Sequence, residues 1–246
     1  MHLTDATWTD VRDFDTDLAL LPVGSTEQHG PHAPLGTDFL AAEAVAEAGA
    51  EASDHDVAVA PTIPVGVAEE HRQFPGTLWV SEETFRSYVR ETVGSLASHG
   101  FDRIVVVNGH GGNVDALREV CGTIVRHDDA YAVPFTWFEA VGEHATRMGH
   151  GGPLETSLLR HVAPERVRED RMKEATEGAA ERWGEWVASV NLAYDSAEFA
   201  ENGVVGDPSD GDAALGEELL DAAAAALARV LDAVDERDVS RPERRT

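Results

Sequence analysis

Three glycine-rich loops of this 246-residue chain gather histidines and acids. The first runs Gly24-Ser25-Thr26-Glu27-Gln28-His29-Gly30 and on to Asp38. The second is Asn108-Gly109-His110-Gly111-Gly112-Asn113, and the third is Gly149-His150-Gly151-Gly152-Pro153-Leu154-Glu155. Imidazole and carboxylate are the ligands that zinc, manganese and iron(II) accept without cysteine. Glu27 and His29 stand two positions apart, so on an extended segment they face the same side. Asp38 opens the next expected helix, where its carboxylate can reach back or bridge two ions. His110 sits between glycines that let backbone approach a ligand closely. Two metals about 3.5–4 Å apart sharing a carboxylate would activate water and polarise a carbonyl for hydrolysis. Each residue also has an ordinary reading: Gly-His-Gly as a turn, Asp38 as an N-cap, Glu155 as a first-turn acid favoured by the helix dipole. The coincidence of three loops carries the metal reading. His32, His55, His71, His99, His127, His144 and His161 read as surface or structural residues. There is no G-x-S-x-G nucleophile elbow, no P-loop and no G-x-G-x-x-G fingerprint.

The elements that must hold these loops alternate between strand and helix. Asp17–Val23, Asp56–Ala60, Arg103–Val107 and Ala130–Pro134 read as strands, the third β-branched without alternation and therefore covered on both faces. Asp38–Glu51, Asn113–Arg126, Pro153–His161 and Asp212–Val234 read as helices, with Glu174–Val190 a weaker one. Ser81 caps another that runs to about Ser98, with Gly100 as its stop. Trp137–Met148 is irregular and Asp235–Thr246 a polar tail. The pattern is that of a parallel sheet with crossover helices in one α/β domain spanning 1–246. Ligands of such sheets bind outside the carboxyl ends of the strands, so the first two loops open onto one crevice.

Composition narrows the function further. The formal net charge is −27, from 46 acidic residues against 19 basic ones. That field repels nucleic-acid phosphates and anionic lipid, so neither is an expected partner. Lys173 is the only lysine, and acid excess without lysine suits a high-salt cytoplasm. A single cysteine, Cys121, excludes an internal disulfide. No apolar run approaches the roughly 18–20 residues that span a bilayer, and the N-terminus lacks the features of a signal peptide. A soluble cytoplasmic protein is the expectation.

Taken in order, the three loops resemble the creatininase family of metal-dependent amidohydrolases. The match runs from Leu21-Pro22-Val23-Gly24-Ser25-Thr26-Glu27-Gln28-His29-Gly30 through Phe74-Pro75-Gly76-Thr77 and the His110 loop to Gly151-Gly152-Pro153-Leu154-Glu155-Thr156-Ser157, ending near Gly206-Asp207-Pro208. The resemblance implies a three-layer α/β/α domain with a mainly parallel central sheet, assembled as a homo-oligomer, and a dinuclear Zn, Mn or Fe(II) site. By motif position Glu27 and His110 would hold one metal, His29 the second, and Asp38 would bridge them. His150 would handle the proton of the leaving nitrogen, oriented by Glu155.

Two departures bear on substrate. Creatinine hydrolases carry a further acidic ligand at the position of Gly112, so the second metal here is one ligand short unless Glu155 or a water compensates. They also place a tryptophan and an acid just before the catalytic histidine, where this chain has Thr146-Arg147-Met148-Gly149. Arg147 offers a cation for a phosphate or carboxylate, or is a surface arginine. Trp137 is either a pocket aromatic or a core residue, and Thr77 is a further candidate substrate contact. Archaeal deformylases of the family, which remove formate from a ribosylaminopyrimidine phosphate, have a second loop resembling Asn-Gly-His-Gly-Gly-Asn. Hydrolysis of a small-molecule amide, deformylation foremost, is therefore the expected activity. Creatinine hydrolysis and a role in maturing a peptide-derived cofactor are the alternatives within the family. A metal-binding scaffold without chemistry and a phosphate-ligand-binding domain are the rivals from other classes.

Overall fold

The apolar first strand and the β-branched third strand lie side by side. In the computed structural model, which describes residues 1–241, β1 (Leu18–Val23) pairs in parallel with β3 (Arg103–Asn108), and β3 with β4 (Tyr131–Thr136). β2 (Ala58–Val59) lies on the far side of β1, giving the order β2-β1-β3-β4. β1 is buried throughout and β3 at every position but Arg103, which is why neither alternates. Leu18, Leu20, Val105 and Val107 face α2 (Thr37–Ala52), α5 (Pro153–Val162) and α7 (Ala213–Asp235). Ala19, Leu21, Ile104 and Val106 face α3 (Glu82–Ala97) and α4 (Val114–His127). Three layers result, as expected. No helix among the described residues is long and apolar enough to cross a membrane.

Caps fall where the sequence places them. Ser81 accepts a hydrogen bond from the Thr84 N–H at the start of α3, and Asp212 one from Leu215 at the start of α7. The differences are local. The second strand shrinks to Ala58–Val59: the Ala60 N–H still reaches Leu20 O, but Pro61 beyond it has no N–H to extend the ladder. The helix expected over Glu174–Val190 is instead α6 (Met172–Glu177) followed by a hairpin of β5 (Trp186–Val187) and β6 (Val190–Asn191). Gly178 ends α6, and Ala188 and Ser189 form a two-residue turn with positive φ, 47° and 67°. A short α1 (Trp8–Arg12), fixed by a Thr7–Asp10 capping box, is below the length at which periodicity is readable. Trp137–Met148 contains two 3-10 segments, Trp137–Glu139 and Gly142–Arg147. Of the expected polar tail, 242–246 lies outside the described residues.

The register matters most at the carboxyl edge. Val23 stands opposite Asn108, and Asn108 opposite Thr136, so the loops after β1 and β3 leave the sheet together. The first turn of α2 packs directly over them: a Cβ on Gly109 would lie 2.1 Å from the Asp38 backbone oxygen. Gly109→Ala is therefore expected to cost about 1–3 kcal/mol of stability through overpacking, read by denaturant unfolding. It should also weaken metal binding, because Asp38 must move. Unchanged stability and metal content would contradict this account of the helix placement.

Candidate active site

Glu27, His29, Asp38, His110, His150 and Glu155 come together at the carboxyl edge of the sheet, and all six are buried. Backbone carbonyls set the histidine tautomers. His110 Nε2 lies 2.5 Å from Val67 O and donates to it, so Nδ1 keeps its lone pair. That nitrogen faces Glu27 Oε1 at 3.1 Å and Asp38 Oδ2 at 3.2 Å. His29 donates through Nδ1 to its neighbour's carbonyl, Glu27 O, at 3.2 Å. Its Nε2 then faces Asp38 Oδ1 at 3.0 Å and Glu155 Oε1 at 3.7 Å. Each histidine thus meets two carboxylate oxygens, acceptor against acceptor. Both Glu27 carboxylate oxygens, Asp38 Oδ2 and His29 Nε2 are buried without a hydrogen-bond partner.

With the rings neutral these are buried acceptors converging on one another, an arrangement that a cation relieves, whether protons or a metal ion. Glu27, Asp38 and His110 offer one atom each within 4.8 Å of one another, the geometry of one metal position. His29, His150 and Glu155 offer a second such group, and Asp38 Oδ1, 3.0 Å from His29 Nε2, stands beside it where its carboxylate can be shared. Glu155 thereby stands where a ligand for His29's metal is needed, while its Oε2 accepts the Gly151 N–H at 2.6 Å. No side chain at position 112 fits: a Cβ on Gly112 would lie 2.3 Å from Val67 O and 2.8 Å from Glu70 Oε1.

Asparagines brace the second loop. Asn108 accepts from the His110 N–H and donates to the His110 carbonyl, and Asn113 ties Gly24 O to the Val67 N–H. His150 donates through Nε2 to Gln28 O at 2.6 Å, turning Nδ1 inward, 3.7 Å from Glu27 Oε1.

Burial, reinforced by Asp38, pushes the Glu27 carboxyl up to about 7. Burial also works to raise Asp38, but His29 and His110 outweigh it and hold that carboxyl well below its usual range. The same pairing, against the pull of burial, raises His29 and His110. Burial and the neighbouring His29 and His71 push His150 well down, so it is neutral.

Of the candidate substrate contacts, Arg147 lines the cavity and is exposed, its guanidinium reaching Asp210 O at 3.3 Å. Trp137 is fully buried between the sheet and the helices, edge-on to Phe138, and takes no part in the cavity wall. Thr77 stands behind the first loop, where its hydroxyl accepts the Gln28 N–H at 3.2 Å. Both placements support the site by packing.

Three participants escape sequence reading: His71, Glu70 and Trp183. His71 is buried between Glu27 and His150, its ring stacked on that of His150 with centroids 4.2 Å apart. Burial pushes it down to about 3. Its position just before Phe74-Pro75-Gly76-Thr77, in the loop after β2, was the available signal. Trp183 meets His71 and His150 edge-on at 5.5 and 5.9 Å, from a segment that no pattern tied to the site. His32, read as structural, is buried behind Glu155's helix and bonded to Thr156 Oγ1.

A family model described as creatininase, creatinine amidohydrolase, matches residues 4–231. The chain belongs to the creatininase family. A mycofactocin precursor peptide peptidase of Mycolicibacterium smegmatis is 39% identical over 210 residues, covering 82% of this chain and 79% of its own length. The creatinine amidohydrolase of Pseudomonas putida is 30% identical over 180 residues, covering 63% of this chain and 68% of its own length. A solved structure described as creatininase Mn superposes with a TM-score of 0.80 at 24% identity, covering 96% of this chain and 97% of that one, which establishes the fold. Membership makes the chain a hydrolase of carbon–nitrogen bonds and gives its buried ligand cluster a metal-binding purpose.

Metal binding must displace protons from Glu27, His29 and His110, each of which holds its proton more tightly than an ordinary glutamate or histidine. Affinity for zinc or manganese is therefore expected to fall as pH drops from about 8 to about 6, with net proton release on binding. Calorimetry in buffers of different ionisation enthalpy reads both. A pH-independent affinity without proton release would contradict the ligand set.

Proposed function

We propose that this creatininase-family chain hydrolyses an amide bond of a peptide-derived substrate, using two divalent metals held by Glu27, Asp38 and His110 and by His29, Asp38 and Glu155. The observation that carries the reading is the pair of histidine lone pairs turned onto Asp38's two oxygens, buried behind His110, His150 and Glu155 in the wall of an open cavity of ≈ 660 Å³. The identity of the mycobacterial peptide peptidase across most of both chains favours a peptide. When bound, the metals supply Lewis acidity and a nucleophile at neutral pH; manganese, zinc and iron(II) all suit the N and O donors. His150 starts neutral, takes a proton at Nδ1 from the attacking water as the C–O bond forms, and delivers it to the departing nitrogen as the C–N bond breaks. Its Nε2–H···O bond to Gln28 holds the ring in that orientation. Trp183 forms part of the cavity wall, edge-on to the two stacked imidazoles.

Deformylation of a pyrimidine phosphate is the second reading. Arg147 and Arg182, both exposed on the cavity wall, favour an anionic group on the substrate, whether a phosphate or a carboxylate. Creatinine, small and uncharged at its ring, leaves those two cations without a role.

One experiment separates the readings. Protein loaded anaerobically with iron(II), manganese or zinc is incubated with the mycofactocin precursor peptide, with the formamidopyrimidine phosphate and with creatinine, and products are read by mass spectrometry. Chelator-dependent cleavage of the peptide is expected. Formate from the pyrimidine, or creatine, would move the assignment to that branch. On the turned-over substrate His150→Asn should lower kcat by roughly 10²–10⁴ with metal content unchanged, and equal loss of metal would contradict a proton-transfer role.

The proposal extends to the setting. The acid excess fits a salty cytoplasm, and the hairpin's exposed Trp186, Val187, Val190 and Leu192 favour association of copies. Raising KCl from about 0.1 M to about 2 M, where screening is nearly complete, is expected to raise Tm by several degrees. A flat or falling Tm would remove the high-salt reading.

A further inference from the structure

Four histidine rings converge on the site, and one is connected in the opposite sense from the rest. His29, His110 and His150 each give an N–H to a backbone carbonyl and turn a lone pair inward. His71 instead has hydrogen-bond donors behind it. The Gln28 carboxamide is oriented by its own bonds: the oxygen accepts the Gly30 N–H at 2.9 Å, and the nitrogen donates to Gly203 O at 3.1 Å. The second hydrogen of that nitrogen points at His71 Nδ1, 2.9 Å away. Ser196 Oγ lies 2.9 Å from the same Nδ1 and 3.1 Å from Glu70 O, so its hydrogen also has acceptors there. A proton on Nδ1 would face the Gln28 N–H head-on, so Nδ1 keeps its lone pair and the neutral ring carries its hydrogen on Nε2. That nitrogen looks inward and lies 3.5 Å from Glu27 Oε1, an oxygen buried without any hydrogen-bond partner.

We propose that His71 is a positioning residue: its Nε2–H holds the Glu27 carboxylate in place, and it is not itself a metal ligand. Glu27, His71 and His150 do offer atoms within 4.8 Å of one another, the spacing of a third metal position. A ring nitrogen that bears a proton has no lone pair to give, which leaves the cluster a hydrogen-bonded support and the metal positions at two. The stacked His150 ring and the Trp183 edge keep His71 from turning its other nitrogen inward. A carboxylate held this way presents a fixed oxygen to its metal, and groups that orient ligands typically carry about 10–100-fold in metal affinity.

The inference rests on the metal-hydrolase reading of the site, but its test needs no substrate. Long-range ¹H–¹⁵N NMR on the zinc-loaded protein labelled with ¹⁵N-histidine shows which ring nitrogen bears the proton. His71, assigned by the signal missing in His71→Gln, is expected to carry it on Nε2 with a bare Nδ1. A proton on Nδ1, or a zinc-bound Nε2, overturns the proposal. Calorimetry on the variants gives the second readout. His71→Leu is expected to bind as many metal equivalents as the unaltered protein, about 10–100-fold more weakly. His71→Gln, whose amide N–H reaches the Nε2 position, is expected to recover most of that affinity. Loss of one metal equivalent in both variants would make His71 a ligand and overturn the proposal. If His71→Leu does not fold, the NMR measurement on the unaltered protein decides. Absence of hydrolysis of any amide would fall on the proposed function and leave the tautomer result standing.

Discussion

Asp38 is the constraint around which the rest is arranged. Its two oxygens are divided between two histidines, Oδ1 to His29 and Oδ2 to His110, and the group is buried at the first turn of α2. A carboxylate so placed gains from the partial positive charge of the helix N-terminus, but only if the turn sits directly on the sheet edge. The sheet makes room through glycine. A Cβ on Gly24 would lie 2.4 Å from Phe39 N, and one on Gly109 2.1 Å from Asp38 O, so the residues leaving β1 and β3 must both lack side chains. The glycine-rich character of the loops is thus a packing requirement imposed by one acid, as much as a matter of loop flexibility.

The second constraint is the proton accounting of the imidazoles. Val67 O, Glu27 O and Gln28 O come from two different loops, and each fixes which nitrogen of a histidine is bare. The carbonyls act without any charge of their own, and at the distances present they leave little freedom to the rings. The acids therefore face lone pairs, and the cost of burying them is met only by a cation. The direction of the pKa displacements has the same origin: with protons as the only positive charge at hand, His29 and His110 keep theirs and Glu27 takes one up.

Most of the fold was readable because β1 and β3 are uninterrupted apolar runs and α3 and α7 carry explicit caps. Of the site, Glu27, His29, Asp38, His110, His150 and Glu155 were readable because each lies in a loop that follows a strand or opens a helix. His71 was not, because it lies twelve residues beyond the end of β2 with no glycine-flanked acid or histidine around it, and only its nearness to Phe74-Pro75-Gly76-Thr77 marked it. Trp183 was hidden by a misjudged element, since a continuous helix over Glu174–Val190 would have carried it away from the site, whereas the stop at Gly178 turns it inward. Trp137, open in the sequence between pocket aromatic and core residue, is a core residue. An aromatic at the end of β4 is well placed by sequence, yet its ring points into the helix-covered face rather than the cavity.

The charge of the molecule sets a condition on what the cavity can admit. At low ionic strength a net charge of −27 repels any anionic substrate over distances comparable to the protein itself. At about 1 M salt the Debye length shrinks to about 3 Å, and only contacts at van der Waals range keep their sign. Under that screening the charges lining the cavity, Arg147 and Arg182 beside Glu70, Glu155 and Glu181, outweigh the rest of the surface. An acidic exterior and exposed arginines on the cavity wall are then compatible in one chain. On the proposed reading, an anionic end of the substrate is then selected at short range by those guanidinium groups, and the buried acids are kept for the metals.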